Sequence, residues 1–186
     1  MTQSPLMKRE KVEHILRAAG RVTGKKVFVL IGSAAIVAWR EMIPPELAIS
    51  RDVDLFAYDT PDVDEIADSL DGALGQASAF DQTFGYYCDG VGADTALLPT
   101  DWRDRALTFS TPNTEGVTAL VPEPNDIALS KLFAWRPKDI DWLRVAVATR
   151  IIDPDTMRDR SVAMPASANR PALLARIDAL AVTPSP

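Results

Sequence analysis

Apolar residues recur at helical spacing near the start of the chain, at Leu6, Val12, Ile15, Leu16 and Ala19. This spacing predicts a helix over residues 6–20 that ends at Gly20. The short β-rich run from Val27 to Ile31 then predicts a buried strand. A second helix is expected over residues 33–43, because prolines follow at 44 and 45 and cannot continue it.

A second strand is predicted over DVDLFAY, residues 52–58, because β-favouring side chains fill that run. Residues 59–74 follow with apolar positions at helical spacing, and Thr60 or Asp59 would cap that helix. Glycines interrupt the segment 84–98, which is expected to hold one or two strands. Two further strands are predicted over residues 105–110 and 116–122.

Beyond Pro122 the pattern changes to helical spacing and predicts helices over residues 122–135, 136–152, 153–160 and 171–180. Asn125 is the expected cap of the first, and the polar tail 181–186 is expected to fray. We therefore predict an α+β fold. A mixed sheet flanked by helices would occupy residues 1–122, and a helical C-terminal part, residues 123–186, would pack on it as one compact unit.

Composition narrows the chemistry that this fold can carry. A chain of 186 residues, 47% hydrophobic and 25% charged, is typical of one soluble domain with a real core. The chain has no long apolar run, no apolar signal core at its start and only one cysteine, Cys88. We therefore expect a cytoplasmic protein with no membrane partner. The single histidine, His14, argues against a His/Cys zinc cluster, and against a nucleophile–histidine triad unless His14 folds into the site. Carboxylates, lysine, arginine and oxygen-preferring metals are left to carry any chemistry.

The net charge of −6 is unevenly distributed along the chain. Residues 1–100 hold 9 basic and 15 acidic side chains, whereas residues 101–186 hold 11 of each. Such a balance argues against a general nucleic-acid binder, although a local basic patch in the second half stays open. The acids of the helix expected at 59–74 are interpreted as a solvated face.

Two acids stand at the head of the second predicted strand, in the stretch Ser50-Arg51-Asp52-Val53-Asp54. Residues i and i+2 of a strand point to the same face, so Asp52 and Asp54 would share one face while Val53 points into the core. Two such carboxylates raise each other's pKa unless a cation neutralises them. Magnesium binds hard oxygen ligands of this kind, and a shared ion would hold the two groups within about 5 Å. The alternative is a turn acid followed by a strand-edge acid.

Gly32-Ser33 follows the first predicted strand and opens the next helix. Backbone N–H groups at a helix start favour an anion, glycine permits its close approach, and Ser33 adds a hydroxyl. A plain turn and cap is the alternative.

A third group of residues surrounds the junction of the two helices after Pro122: Lys131, Arg136, Lys138, Asp139 and Asp141. Lys131 lies among apolar residues and would reach a substrate phosphate as a point charge. A lysine that extends along the surface beside a capping salt-bridge cluster is the alternative. The tryptophans at 39, 102, 135 and 142 are expected to pack in or near the core rather than to stack on a base.

With these motifs the chain resembles the minimal nucleotidyltransferases of the DNA polymerase-β superfamily. Their hallmark is Gly-Ser or Gly-Gly opening a helix, followed by Asp-x-Asp or Asp-x-Glu on the next strand, which here are Gly32, Ser33, Asp52 and Asp54. The later Lys131, Arg136, Lys138-Asp139 and Asp141 look like the lysine and aspartate motifs of the AbiEii-type branch, which includes toxins of bacterial toxin–antitoxin systems. The resemblance covers about residues 25–145.

The resemblance implies a nucleotidyltransferase-like fold and transfer of a nucleoside monophosphate from a nucleoside triphosphate to an RNA or protein acceptor. A toxin–antitoxin role with a cognate protein partner is implied in the same way. Gly32 and Ser33 would cradle the triphosphate, and Asp52 and Asp54 would bind Mg²⁺ or Mn²⁺. Lys131 and Arg136 would contact phosphate, and Asp139 or Asp141 would orient these side chains or the acceptor.

Catalytic members of this superfamily often carry a third carboxylate on a later strand. Asp89 is the preferred candidate, as a metal ligand and catalytic residue, because it follows an apolar run that would bring it beside the first two strands. Asp94 is the alternative, and it would equally suit a turn. Without a third acid the chain would instead be a binding module that has lost catalysis and acts as an antitoxin or regulator. A plain α+β domain with chance motifs is the remaining alternative.

Overall fold

The computed structural model describes residues 6–181, and the contacts within it divide them into two compact units. The first unit combines the described residues up to Thr95 with Leu107–Val121. The second combines Ala96–Ala106 with the chain from Pro122 onward. The predicted fraying of the polar tail falls on residues 182–186, outside the described part of the chain, while Ala181 still belongs to the last helix.

A five-stranded mixed sheet forms the centre of the first unit, in the order β3-β2-β1-β5-β4. Its strands are β1 (Val27–Ile31), β2 (Asp52–Ala57), β3 (Tyr87–Gly90), β4 (Leu107–Phe109) and β5 (Thr118–Val121). β2 runs antiparallel to β1 and parallel to β3, while β5 runs parallel to β1 and antiparallel to β4. The predicted α+β fold with a mixed sheet flanked by helices is confirmed.

Helices α1 (Arg9–Thr23) and α3 (Val63–Leu74) pack on each other, and α3 also covers β2 and β3. α1 is amphipathic, and its apolar positions are fully buried: Val12, Ile15, Leu16 and Ala19. It runs past the expected end at Gly20 to Gly24, whose φ of 72° provides the left-handed cap. Gly20 itself is buried inside the helix.

The helix expected over residues 33–43 is much shorter than predicted. A 3₁₀ turn, Ser33–Ala35, leads into the single α-helical turn α2 (Ile36–Trp39), and Arg40 is already extended. The guanidinium of Arg9, on α1, donates hydrogen bonds to the carbonyl oxygens of Val37 and Ala38. These carbonyls would otherwise accept the N–H groups of the next turn, so a distant side chain takes the place of the missing helix.

The segment 84–98 holds one strand, β3, and a helix precedes it that the sequence did not predict. This helix, α4 (Ala79–Phe84), begins at Ser78, whose hydroxyl accepts a hydrogen bond from the Asp81 N–H. Gly85 ends α4 in the left-handed conformation with φ 74°. The strands expected over 105–110 and 116–122 are shortened to β4 and β5.

The second unit is helical, with α5 (Pro124–Ala134), α6 (Pro137–Ala148), α7 (Pro154–Arg160) and α8 (Arg170–Ala181). Asn125 is not the cap of α5, because the carboxylate of Glu123 accepts the Asn125 N–H and Pro124 takes the first helical position. α6 ends four residues before the predicted limit of 152, at Ala148. Within the described chain, no helix combines the length and the apolarity that crossing a membrane requires.

The buried carboxylate of Asp126, on α5, links three segments of the second unit through hydrogen bonds. It accepts hydrogen bonds from Arg105, in the 3₁₀ turn Trp102–Arg105, and from Arg160, at the end of α7. Arg105 also forms a two-point ion pair with Asp101. The segment Ala96–Ala106 is therefore tied to α5 by fixed, charge-assisted hydrogen bonds.

Candidate active site

Three carboxylates meet on the sheet of the first unit, where β2 and β3 lie side by side. Asp52, Asp54 and Asp89 each offer an oxygen within 4.8 Å of the others, and each side chain is half-buried. Asp52 and Asp54 are therefore as close as expected, within about 5 Å, and Asp89, the preferred third carboxylate, lies beside them. Asp94 lies in an exposed turn after β3, outside this cluster.

The strand pairing explains why these three residues meet. In the parallel register of β2 and β3, Asp54 is directly opposite Asp89, so their side chains leave the sheet on the same face. Asp52 precedes Asp54 by two positions and shares that face. Val53 and Cys88, which directly precede Asp54 and Asp89, are also paired, and both are fully buried on the other face of the sheet.

Gly32 brings the end of β1 against the acidic cluster. Ile31 is paired with Asp54 in the antiparallel register, and Gly32 follows immediately. With φ 74° and ψ −163° it occupies a backbone region that is essentially restricted to glycine. A Cβ at this position would lie 2.1 Å from Asp54 Oδ2. The glycine therefore keeps open the space into which the Asp54 carboxylate points, and Ser33 comes next along the chain.

Asp52 is also held by Ser50, which lies just before β2. The hydroxyl of Ser50 donates hydrogen bonds to Asp52 Oδ1 and, at 3.3 Å, to its backbone oxygen. Arg51 turns the other way, where it donates to the buried Asp81 and, at 3.1 Å, to the carbonyl oxygen of Gly85. The segment that leads into the paired acids is thus anchored on both sides.

The donor set at this cluster suits a hard divalent cation. Burial and the neighbouring charges of Asp89 and Asp54 raise the pKa of the Cys88 thiol, so no thiolate competes as a ligand. Burial, Asp52 and Asp89 likewise raise the pKa of Tyr87, which keeps its phenol protonated. Carboxylate oxygens are the ligands that Mg²⁺ and Mn²⁺ prefer. The three carboxylates therefore fit such an ion.

A second charged cluster lies in the second unit, around the junction of α5 and α6. Asp139, fully buried, accepts a hydrogen bond of 3.1 Å from Lys131 Nζ and one of 2.7 Å from Arg136 Nε. Lys131 Nζ also lies 5.1 Å from the ring centroid of Trp142. The structure thus brings together three of the residues singled out around this junction.

The charges in this cluster compensate each other. Burial lowers the pKa of Lys131, against the opposing effect of Asp139. Burial alone would raise the pKa of Asp139, but the hydrogen bonds from Arg136 and Lys131 and their charges outweigh it and lower the pKa. Asp141 is not part of the cluster, because its exposed carboxylate pairs with Arg144 at 3.6 Å. Of the two acids considered for orienting Lys131, Asp139 is therefore the one in contact with it.

Three residues around the acidic cluster were not singled out from the sequence. Ser50 and Arg51 precede the paired acids, and Asp71, on α3, accepts a hydrogen bond of 2.6 Å from the Gly90 N–H. Ser50 was the one within reach of sequence reasoning, since a hydroxyl two residues from an acid can hydrogen-bond to it. The partners of Arg51 and Asp71 lie 19 to 34 residues away, and no local pattern points to them.

Comparisons with known proteins place the chain in a family. Searches among curated proteins and among solved structures found no significant match. The family model described as "Nucleotidyltransferase of unknown function (DUF6036)" matches residues 9–170, which include both charged clusters. The chain therefore belongs to this family of nucleotidyltransferases of unknown function.

Proposed function

We propose that the chain is a metal-dependent nucleotidyltransferase that moves a nucleoside monophosphate from a nucleoside triphosphate to an RNA or protein acceptor. The observation that carries the proposal is the cluster of three aspartates in a chain of the nucleotidyltransferase family. In this reaction an acceptor hydroxyl oxygen forms a bond to the α-phosphorus. The bond from that phosphorus to the bridging oxygen breaks, pyrophosphate leaves, and the acceptor proton passes to a carboxylate of the site or to solvent.

Asp52, Asp54 and Asp89 are the proposed ligands of Mg²⁺ or Mn²⁺. Bound divalent ions supply the positive charge that stabilises the attacking and leaving oxygens of such a transfer. The three carboxylate oxygens lie within 4.8 Å of one another, so these side chains could together hold a divalent ion. The carboxylates would also hold the triphosphate, through the ions, against the end of β1.

Gly32 and Ser33 are proposed to receive the triphosphate. The support is that the backbone of Gly32 lies directly beside the Asp54 carboxylate, so a triphosphate held by ions on that carboxylate would come close to this backbone. The short 3₁₀ turn that begins at Ser33 has little of the dipole of a long helix. Individual N–H groups and the Ser33 hydroxyl would therefore have to provide the contact.

Lys131 and Arg136 are the proposed phosphate contacts of the second unit. One buried carboxylate, Asp139, holds both cations, which fixes their direction before any substrate arrives. The side chain of Arg136 is 60% exposed, and only its Nε donates to Asp139, so the terminal N–H groups of the guanidinium could bind a phosphate. Asp139 would orient these two side chains.

An assignment to the AbiEii-type branch, with a toxin–antitoxin role and a cognate protein partner, is part of the proposal. Its support is the motif pattern, extended by the contact of Asp139 with Lys131 and Arg136. The alternative of a binding module that has lost catalysis was motivated by the uncertain third acid and by the small size of the chain, and the position of Asp89 speaks against the first of these grounds. A reducing cytoplasm is the proposed location, in keeping with the buried free thiol of Cys88.

The test is transfer of label from each of the four α-³²P-labelled nucleoside triphosphates to total RNA and to proteins of a cell extract, with Mg²⁺ or Mn²⁺ present. Labelled acceptor is expected with the wild-type chain, and its loss in Asp52→Asn and Asp54→Asn. Asp94→Asn, which removes an exposed acid outside the cluster, is the matched control and should retain activity. Absence of both labelling and triphosphate binding with all four nucleotides would refute the proposal.

A further inference from the structure

The outer strand β3 carries Asp89, and its outer edge is held by a side chain of α3. The N–H of Tyr87 donates to the carbonyl oxygen of Arg51, just before β2, and the N–H of Val91, just after β3, donates to that of Leu55 on β2. The N–H of Gly90, one residue before Val91, therefore points away from β2. It donates to Asp71 Oδ1 at 2.6 Å. A charge-assisted hydrogen bond thus fixes the residue that directly follows Asp89.

The close approach of α3 to β3 at the same residue is a separate observation. A Cβ on Gly90 would lie 2.2 Å from the carbonyl oxygen of Ala67 and 2.7 Å from its Cα. Ala67 lies one helical turn before Asp71 and on the same face of α3. Glycine at position 90 is therefore what lets the helix come near enough for the Asp71 carboxylate to reach the strand.

We propose that Asp71 is a positioning residue for the third carboxylate of the site. By holding Gly90, it fixes the backbone at the end of β3 and thereby the direction in which Asp89 projects toward Asp54. β3 has only four residues and a neighbour on one side, so the hydrogen bond to Asp71 adds to the Val91–Leu55 hydrogen bond in limiting local opening at its end.

The start of β3 is held independently of Asp71, whereas its end is held by the backbone hydrogen bond from Val91 to Leu55 and, on the outer edge, by Asp71. Arg51 binds the carbonyl oxygen of Gly85 and the buried Asp81, and its guanidinium lies 5.7 Å from the ring centroid of Tyr87. The partners of Arg51 lie nine, five and three residues before Gly90 in the sequence, at Asp81, Gly85 and Tyr87. Loss of Asp71 should therefore loosen Asp89 while the register of β3 is kept.

The inference rests on the proposed metal site. Its first test is to titrate the full chain with Mn²⁺ alone and to measure the binding by calorimetry. Asp71→Ala should weaken Mn²⁺ binding about 10-fold, the effect expected when a group that orients a metal ligand is lost. Asp71→Asn keeps a side-chain oxygen that accepts the Gly90 N–H and should restore most of the affinity. Asp68→Ala removes an exposed acid of the same helix and controls for the change in net charge.

A double-mutant cycle separates positioning from general electrostatics. In a chain that already carries Asp89→Ala, the additional change Asp71→Ala should have little further effect on Mn²⁺ affinity, because the group that it orients is gone. An equal loss with and without Asp89 would overturn the inference, as would an unchanged affinity in Asp71→Ala.

Hydrogen exchange of the metal-free chain gives a second measurement that does not depend on the ion. Exchange of the Gly90 amide should accelerate in Asp71→Ala and stay slow in Asp71→Asn, with the amides of β1 unaffected. Unchanged exchange at Gly90 would overturn the inference even if Mn²⁺ binds. If the wild-type chain binds no Mn²⁺ while Gly90 exchange responds as expected, the proposed metal site fails and the backbone contact stands.

Discussion

At the scale of single residues, Gly32 shapes the site both through its backbone conformation and through its missing side chain. Its backbone conformation excludes other residues, and its missing Cβ leaves space for the carboxylate of Asp54. Both constraints act at the position where β1 meets the acidic cluster. A glycine in a plain turn would carry only the first of them.

The change Gly32→Ala is therefore expected to affect metal binding and stability together. A Cβ must displace Asp54 Oδ2, from which it would be 2.1 Å away, so Mn²⁺ affinity should fall at least 10-fold. Backbone strain should cost about 1–3 kcal/mol of the free energy of unfolding. Mn²⁺ titration and urea unfolding measure the two effects.

Gly24→Ala is the matched control for this change. Gly24 also has a positive φ, 72°, but nothing lies within 4 Å of a Cβ built there. The variant should lose about 1 kcal/mol of stability and keep its Mn²⁺ affinity. Equal Mn²⁺ binding in Gly32→Ala and Gly24→Ala would contradict the role assigned to Gly32.

The single histidine provides a prediction on pH. His14 Nδ1 lies 2.7 Å from the Tyr86 hydroxyl, with the rings of Phe80 and Phe84 within 5.0 Å of its own by centroid distance. Burial, and then the charge of Arg17, lower the pKa of His14 from 6.5. The unfolded chain therefore takes up the proton at a higher pH than the folded chain, and stability should fall as the pH drops through about 6.5.

Thermal unfolding between about pH 8 and pH 5.5 measures this dependence, in a range where carboxylates hardly titrate. His14→Gln retains an amide that can bond to Tyr86 but does not titrate. Its melting temperature should vary less with pH over the same range than that of the wild-type chain. A variant with the wild-type slope would show that the pH dependence comes from another group.

At the scale of secondary-structure elements, α5 and α6 are joined by a buried ion pair. Lys131 on α5 and Asp139 on α6 are 3.1 Å apart, with side-chain exposures of 8% and 0%. Removing one partner of such a pair leaves the other charge in the protein interior. The junction between the two helices should therefore be sensitive to the loss of Asp139.

Asp139→Ala is expected to lower the free energy of unfolding by about 3 kcal/mol, because Lys131 then loses its carboxylate partner. Urea unfolding followed by tryptophan fluorescence would measure it, since Trp142 packs beside Lys131. Asp141→Ala, an exposed acid on the same helix, should change stability by less than about 0.5 kcal/mol. Similar losses in the two variants would rule out a buried pair that matters to folding.

Elements that depend on local pattern were predictable from the sequence, and those set by distant contacts were not. β1 and β2 follow from short apolar runs, and the shared face of Asp52 and Asp54 follows from strand geometry. The length of α2 did not follow, because Arg9 from α1 takes the carbonyl groups that a longer helix would have used.

The same contrast between local patterns and distant contacts applies to the candidate site. The paired acids and Gly32-Ser33 are visible within a few residues of sequence, and the preference for Asp89 over Asp94 rested on the apolar run before it. The contact of Asp71 with Gly90 joins two elements that are 19 residues apart, and its formation depends on how α3 lies against β3. No spacing rule within one element encodes that arrangement.

At the scale of the whole molecule, the two units differ in what holds them together. The first is organised by a sheet, and the second by helices and a network of buried charges around Asp126. The segment Ala96–Ala106 belongs to the second unit although it precedes β4 and β5 in the chain. That residues 123–186 pack on residues 1–122 as one compact unit stays a prediction.

Asp126→Ala should reveal this difference by hydrogen exchange. The variant leaves Arg105 and Arg160 without their shared buried partner, so amides of Ala96–Ala106 and α5 should exchange faster. The amides of β1 and β2 should keep their wild-type rates. Asp104→Ala, an exposed acid of the same segment, is the control, and equal acceleration in β1 would contradict the expectation.

The lengths of the two outermost strands have a consequence for solutions of this protein at high concentration. β3 and β4 hold four and three residues, so each edge of the sheet has only a short row of backbone groups, and on β3 Asp71 already binds one of them. Short outer strands are poor templates for the strand-by-strand growth that leads to aggregates and fibres. Molecules of this protein should therefore not polymerise through the edge strands of their sheets.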